Sequence, residues 1–253
     1  MKQLLKKILF SFFTCAAIVF LIRCDKSNQP PVSTGKGGSM ARFTIANDHL
    51  FIIDDRNLKV FDITQPDTPV FITEIYIGFS IETIFPYNNK LFVGSRNGMY
   101  IYDITVPSNP QFISEITHII SCDPVVVNDT LAFITLRSGG DCRTSVDVNQ
   151  LEIINISNLS APVLRAVHPM DTPFGLGIDS NLIFICHGEY GLGIYDFTPI
   201  DSLKIIHFIS DVNTYDVIPH NKILLVIGET GFYQYSYSNP DSIYLLSHIA
   251  STQ

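Results

Sequence analysis

An all-β repeat fold is what this sequence predicts, and three observations predict it. The composition suits pleated, half-buried surfaces: 18 Phe and 11 Tyr accompany abundant Ile, and only 16% of residues are charged. One unit recurs along most of the chain at a nearly fixed period. Each copy carries four strand-like stretches separated by polar turns. With 253 residues the chain has room for one large domain or two small ones.

The unit is an apolar quartet, a polar hairpin, and a second short strand ending on an acidic or small polar residue. The five copies read Leu50–Ile53 with Leu58–Thr64, Leu91–Gly94 with Met99–Thr105, Leu131–Ile134 with Leu151–Ser157, Leu182–Ile185 with Leu192–Thr198, and Ile223–Val226 with Phe232–Ser238. Asp62 to Asp103 spans 41 residues, and Asn155 to Asp196 spans 41 again. The third copy is longer, through an insertion around Ser138–Asn149.

In the second copy the four strands fall at Thr83–Tyr87, Leu91–Gly94, Met99–Thr105 and Gln111–Ile116. The second is apolar on both faces, as a strand sandwiched between neighbouring sheets must be. A Pro-rich turn precedes the fourth, as at Pro66 and Pro69, Pro107 and Pro110, Pro162, and Pro240. Four antiparallel strands at a period of roughly 40 residues make one propeller blade. A blade cannot bury both faces alone, so copies pack side by side around an axis. The expectation is a β-propeller of five four-stranded blades over residues 41–253, beginning on an inner strand at Arg42–Ala46 and ending on an outer one at Ile243–Ile249.

The recurring Leu-x-Ile/Val-Tyr/Phe-Asp-Ile-Thr-x-Pro-x-x-Pro pattern resembles LVIVD-repeat proteins, closest at Asp62-Ile63-Thr64-Gln65-Pro66 and Asp103-Ile104-Thr105-Val106-Pro107. The likeness covers roughly residues 40 to 249 and departs at Leu159 and Ser236. It implies a propeller and an exported location, many such proteins being bacterial surface lipoproteins, and specifies no ligand.

The N-terminus reads as an address. Lys2, Lys6 and Lys7 precede an apolar run from Ile8 to Ile22, short of the roughly 20 residues of a membrane span. The run resembles a lipoprotein signal peptide over residues 1–23, with Cys24 as the lipidated residue. Arg23 stands where such signals carry a small residue. An uncleaved signal anchor is the alternative, and both leave the protein outside the cytoplasm and tethered. Residues 24–40, with Pro30-Pro31 and Gly35-Lys36-Gly37-Gly38-Ser39, read as a flexible tether. The expected address is an outer-membrane or cell-surface lipoprotein, with the periplasmic face also open.

Asp62, Asp103, Asn155, Asp196 and Ser236 are too dispersed over blades to ligate one metal. As strand-end residues before a turn they are expected to accept backbone N–H groups. The inner-strand starts are better candidates, because a propeller's channel mouth is built there. They carry Arg42, Glu82, Asp123, Phe174 and Asp216, which do not repeat, as expected where a symmetric scaffold is specialised. One Arg with three carboxylates suits a cation, calcium being the candidate, or a polar ligand; a solvated mouth with internal ion pairs is the plainer reading. His187 and Glu189 make a weak metal signal without a third ligand and read as surface loop, as does His220. No cofactor motif or catalytic constellation occurs. Gly98, Gly188, Gly191 and Gly231 are expected to supply positive φ in hairpins.

Beyond Cys15 and Cys24, three cysteines remain in an oxidising compartment. A Cys122–Cys142 disulfide would pin the third-copy insertion near the mouth, worth about 3 kcal/mol in the chain-entropy picture. The alternative is three unpaired thiols. Cys186 follows an apolar run and is expected to be buried and inert.

With 24 Asp+Glu against 16 Lys+Arg, the chain is ill suited to nucleic acid. The leading expectation is a non-catalytic binding or scaffolding module at a membrane, whose partner is an envelope protein or glycan. The alternatives are a metal-dependent hydrolase or lactonase at the channel mouth, and a structural part of a larger envelope assembly.

Overall fold

The computed structural model describes residues 37–117, 124–138 and 148–251. Its regular elements are strands, in five four-stranded antiparallel sheets arranged as a five-bladed β-propeller. Blade 1 holds β1 (Phe43–Ala46), β2 (His49–Ile53), β3 (Asn57–Asp62) and β4 (Val70–Tyr76). Blade 2 holds β5 (Ile81–Tyr87), β6 (Lys90–Ser95), β7 (Gly98–Asp103) and β8 (Gln111–Thr117). Blade 3 holds β9 (Val125–Asn128), β10 (Leu131–Arg137), β11 (Asn149–Asn155) and β12 (Val163–Pro169). Blade 4 holds β13 (Leu176–Asp179), β14 (Leu182–Cys186), β15 (Leu192–Asp196) and β16 (Lys204–Ile209). Blade 5 holds β17 (Thr214–His220), β18 (Ile223–Gly228), β19 (Gly231–Ser236) and β20 (Tyr244–Ala250). Each sheet runs in chain order from its inner to its outer strand.

The strand-end polar residues anchor turns, as the repeat predicts. Asp62, Asp103, Asn155 and Asp196 accept the N–H groups of Thr64, Thr105, Ser157 and Thr198 at 2.7–2.9 Å. Ser236 makes the same contact with Ser238 at 3.4 Å. Hydrogen bonds from Thr64, Thr105 and Thr198 hold the carboxyls of Asp62, Asp103 and Asp196 below the ordinary range. Cross-strand partners then set the register: His49 faces Asp62, Lys90 faces Asp103, Leu131 faces Asn155, Leu182 faces Asp196 and Ile223 faces Ser236. Leu50 and Leu91 therefore correspond to Ala132, Ile183 and Leu224. The sequence alignment of the quartets is one residue early in blades 3 to 5. A strand apolar on both faces looks the same when slid by one residue, although the slide exchanges its faces.

A second device repeats in every blade. The register between the third and fourth strands shifts at Val60/Phe61, Ile101/Tyr102, Ile153/Ile154, Ile194/Tyr195 and Gln234/Tyr235. These bulges leave Ile72, Ile113, Arg165, Ile206 and Leu246 as the extra residues of the outer strands, and they sharpen the strand twist.

The core lies between blades. One cluster joins blades 1 and 2 around Phe51, Leu58 and Leu91; a second runs through blades 2, 3 and 4 around Phe92, Phe133 and Ile153; a third joins blades 4 and 5 around Phe184, Leu224 and Tyr237. No cluster of the described residues crosses from blade 5 to blade 1. The same seam shows in the equivalent positions. Leu50 and Ile52 of blade 1 are half-buried, where Leu91 and Val93 of blade 2 are fully buried. On the opposite side, Leu225 is half-buried and Ile227 is 51% exposed, where Phe184 and Cys186 of blade 4 are 0% exposed.

Gly37–Ala41 lies at this seam, inside the ring. The Ser39 hydroxyl donates to Asp216 of blade 5 at 3.0 Å and accepts the Leu176 N–H of blade 4 at 2.8 Å. The Ala41 carbonyl accepts the Ile84 N–H of blade 2 at 2.9 Å. Ser39 is 1% exposed. The last residues expected to belong to a flexible tether are thus built into the propeller, because their small side chains fit a narrow channel. A Cβ on Gly38 would sit 3.0 Å from Asp216 Cγ, and one on Gly175 only 2.8 Å from it.

Candidate functional site

The strand directions give the channel two mouths, one at the inner-strand starts and one at their ends. At the first, a cavity of about 260 Å³ brings together Arg42, Glu82 and Phe174, three of the residues expected there. Its walls also carry Met40, Pro124 and Arg137. Glu82 points into it because β5 bulges: Ile81 pairs with Ser95 and Thr83 with Gly94, leaving Glu82 as the extra residue. The Arg96 guanidinium holds Glu82 in a 3.0 Å ion pair. Arg42 donates to the Ile81 carbonyl at 3.4 Å. Arg137 stacks over Phe174, its Cζ 3.9 Å from the ring centroid. The backbone of Phe174 is fixed on two sides, by the Thr135 hydroxyl at 2.6 Å and the Cys186 carbonyl at 2.7 Å.

Asp216 does not line this cavity. It lies beneath, turned onto Ser39, and accepts the Val217 N–H at 3.0 Å. Burial pushes its pKa up to about 6, opposed by hydrogen bonds from Ser39, Val217 and Met40. Glu82 and Asp216 therefore have separate partners, and no group of three His, Cys, Asp or Glu suited to a metal occurs among the described residues. Asp123, Cys122, Cys142 and Cys24 lie outside the described residues, as does the signal segment.

Other readings shift. His187 is buried, at 2% exposure, not on a surface loop. Its ring bridges the Asp171 carbonyl at 2.7 Å and the Tyr195 hydroxyl at 2.9 Å, and burial lowers its pKa. Gly188, Gly191 and Gly231 have positive φ. Gly98 is needed for a different reason: a Cβ there would run into the Ile116 carbonyl of the neighbouring strand. Cys186 is a free thiol, fully buried, and burial raises its pKa well above the ordinary value.

The second mouth was not singled out by the sequence. There a larger cavity, of about 730 Å³, is ringed by Tyr87, Asn128, Asp179 and His220. These are the final residues of four inner strands and occupy one repeat position. The signal was available: the same failure to repeat that marks the strand starts also marks the strand ends.

With blades, turns and channel defined, the class is a five-bladed β-propeller of repeated origin. The chain carries LVIVD repeats: that repeat family matches residues 87–117 and 146–167. No curated protein matches the sequence. Among solved structures, a functionally unknown protein from Desulfotomaculum acetoxidans is similar at 13% identity and a TM-score of 0.69, over 86% of this chain and 71% of that one. Apo AztD from Citrobacter koseri is similar at 11% identity and 0.57, over 81% and 60%. BamB from Moraxella catarrhalis is similar at 8% identity and 0.52, over 83% and 60%. At these identities the likeness is one of fold.

Proposed function

We propose that this protein is a non-catalytic binding or scaffolding module, exported and held at a bacterial envelope membrane by lipid on Cys24. Its binding end is the mouth formed by Arg42, Glu82, Arg137 and Phe174. The observation that carries this reading is the convergence of non-repeating side chains on one cavity of an otherwise repetitive frame. Glu82 is paired with Arg96, and Arg42 and Arg137 bring two further guanidinium groups to the same cavity. Planar guanidinium beside an aromatic ring suits a carboxylate attached to a flat or apolar body. An acidic glycan or an acidic segment of an envelope protein offers that chemistry. The hydrolase reading has less support, since the described carboxylates do not share a site.

Calorimetric titration with galacturonate oligomers and a Glu-rich peptide tests the mouth. Saturable binding weakened at least tenfold by Arg137→Ala or Arg42→Ala is expected. Binding that ignores both substitutions would remove the mouth from the function. Incorporation of labelled palmitate that depends on Cys24 tests the anchor.

A further inference from the structure

We infer that the second mouth is a separate binding site for a neutral, hydroxyl-bearing amphiphile, with the apolar chain in the channel and the head group at the rim. Two layers of the inner strands define it. The deeper lining is apolar: Val127 and Ile178, one residue in from the rim, and Phe85 and Ile218, two residues in, line one cavity, widened on one side by Leu225 of the second strand. The outer layer is the rim of Tyr87, Asn128, Asp179 and His220, four different hydrogen-bonding side chains at one repeat position. A repeat under structural demand alone would keep one kind of side chain there, as the turn anchors keep a short side chain with an accepting oxygen.

The rim is held in place from behind. Tyr87 accepts the Asp129 N–H at 2.9 Å, and Asn128 donates to the Ser180 carbonyl at 2.9 Å. Asp179 accepts Lys222 Nζ at 2.6 Å and the Tyr237 hydroxyl at 2.9 Å. Burial acts to raise the Asp179 pKa, yet the bonds from Lys222 and Tyr237 keep it below the ordinary value. Its negative charge is thus balanced by Lys222 at the rim itself, which favours a head group without net charge. The rim carries both donors and acceptors, as recognition of a polyol or glyceryl head requires. At about 730 Å³ the cavity is of the size that small-molecule sites occupy, roughly 300–1,000 Å³. Gly37 also lines this cavity, beside the Gly38 that abuts Asp216 and Ile218. This keeps the site distinct from the Arg42–Arg137 mouth.

The test uses the full chain and two probes below their micellar concentrations. N-phenyl-1-naphthylamine reports on the apolar layer by fluorescence, and monolauroylglycerol displaces it. Saturable one-to-one probe binding with displacement is expected. Ile218→Trp, filling the apolar layer, should weaken both probes at least tenfold, and Leu225→Trp is the second filling variant should the first not fold. Asn128→Ala should weaken monolauroylglycerol several-fold and leave the naphthylamine unchanged. Absence of saturable binding to the parent protein would overturn the proposal. So would unchanged affinity in a filling variant that melts normally. Neither result bears on the carboxylate mouth, whose variants and ligands are different.

Discussion

Blades 2 to 4 and the seam between blades 5 and 1 are built from the same repeat and held by different forces. Inside the run, equivalent residues such as Leu91, Ala132 and Ile183 are fully buried between neighbouring sheets. At the seam, Leu50, Ile52 and Leu225 keep part of their surface in water. The junction there relies on five residues of irregular chain, Gly37 to Ala41, and on hydrogen bonds through Ser39, Asp216 and Ala41. Apolar burial is non-directional and tolerates drift in repeat sequence. A polar latch demands particular residues, and here these include glycines that leave space for a carboxylate.

The largest effect should come from the matched pair Leu91→Ala and Leu50→Ala. Leu91 is 0% exposed, and its truncation should cost about 2–5 kcal/mol, whereas the half-buried Leu50 should cost about 1 kcal/mol. Urea unfolding with a shared slope reads the difference, and equal costs would mean the seam is as closed as the other junctions. Asp216→Ala comes next. It strands the Ser39 hydroxyl and the Val217 N–H, at a cost of about 1–3 kcal/mol, and hydrogen exchange should quicken at residues 38–41 before anywhere else.

The third prediction concerns pH. The Asp216 carboxyl is raised to about 6 from 3.8, so the folded state holds this proton more tightly than the unfolded chain. The cost of its charge is present in full above pH 6 and is relieved as pH falls toward 4. The melting temperature of the parent protein relative to Asp216→Asn should therefore rise between pH 7.5 and 5. A flat difference would place the carboxylate in water. Smallest of all, Asp62→Ala should remove one turn bond for about 0.5–1 kcal/mol, and Ser236→Ala, whose bond is longer, should cost less.

Much of this architecture was legible from local pattern. The turn anchors announced five blades because a short polar side chain before a Thr or Ser N–H is a local event, unaffected by what packs above it. Arg42, Glu82 and Phe174 were legible as members of one mouth, since repeat position converts directly into place around a ring. The seam was not, because it is defined by which faces lack a neighbour, and Leu50 and Leu91 are the same residue in the same pattern. Nor was Arg137, which reaches the mouth from the end of a second strand rather than the start of a first. His187 misled for a related reason: a hairpin position implies solvent, but Tyr195 and Phe208 cover this one.

The bulges between third and fourth strands have a consequence for how the protein stays in solution. The outer strands carry exposed apolar side chains, among them Phe71 at 54%, Leu164 at 48% and Leu245 at 51%. Flat strands of that character would template the addition of a strand from another molecule, and each propeller offers five such edges. One extra residue at the same place in every blade bends each edge out of plane. Straightening a single blade by deleting Ile72 should leave the other four folded and yield a protein that precipitates with time.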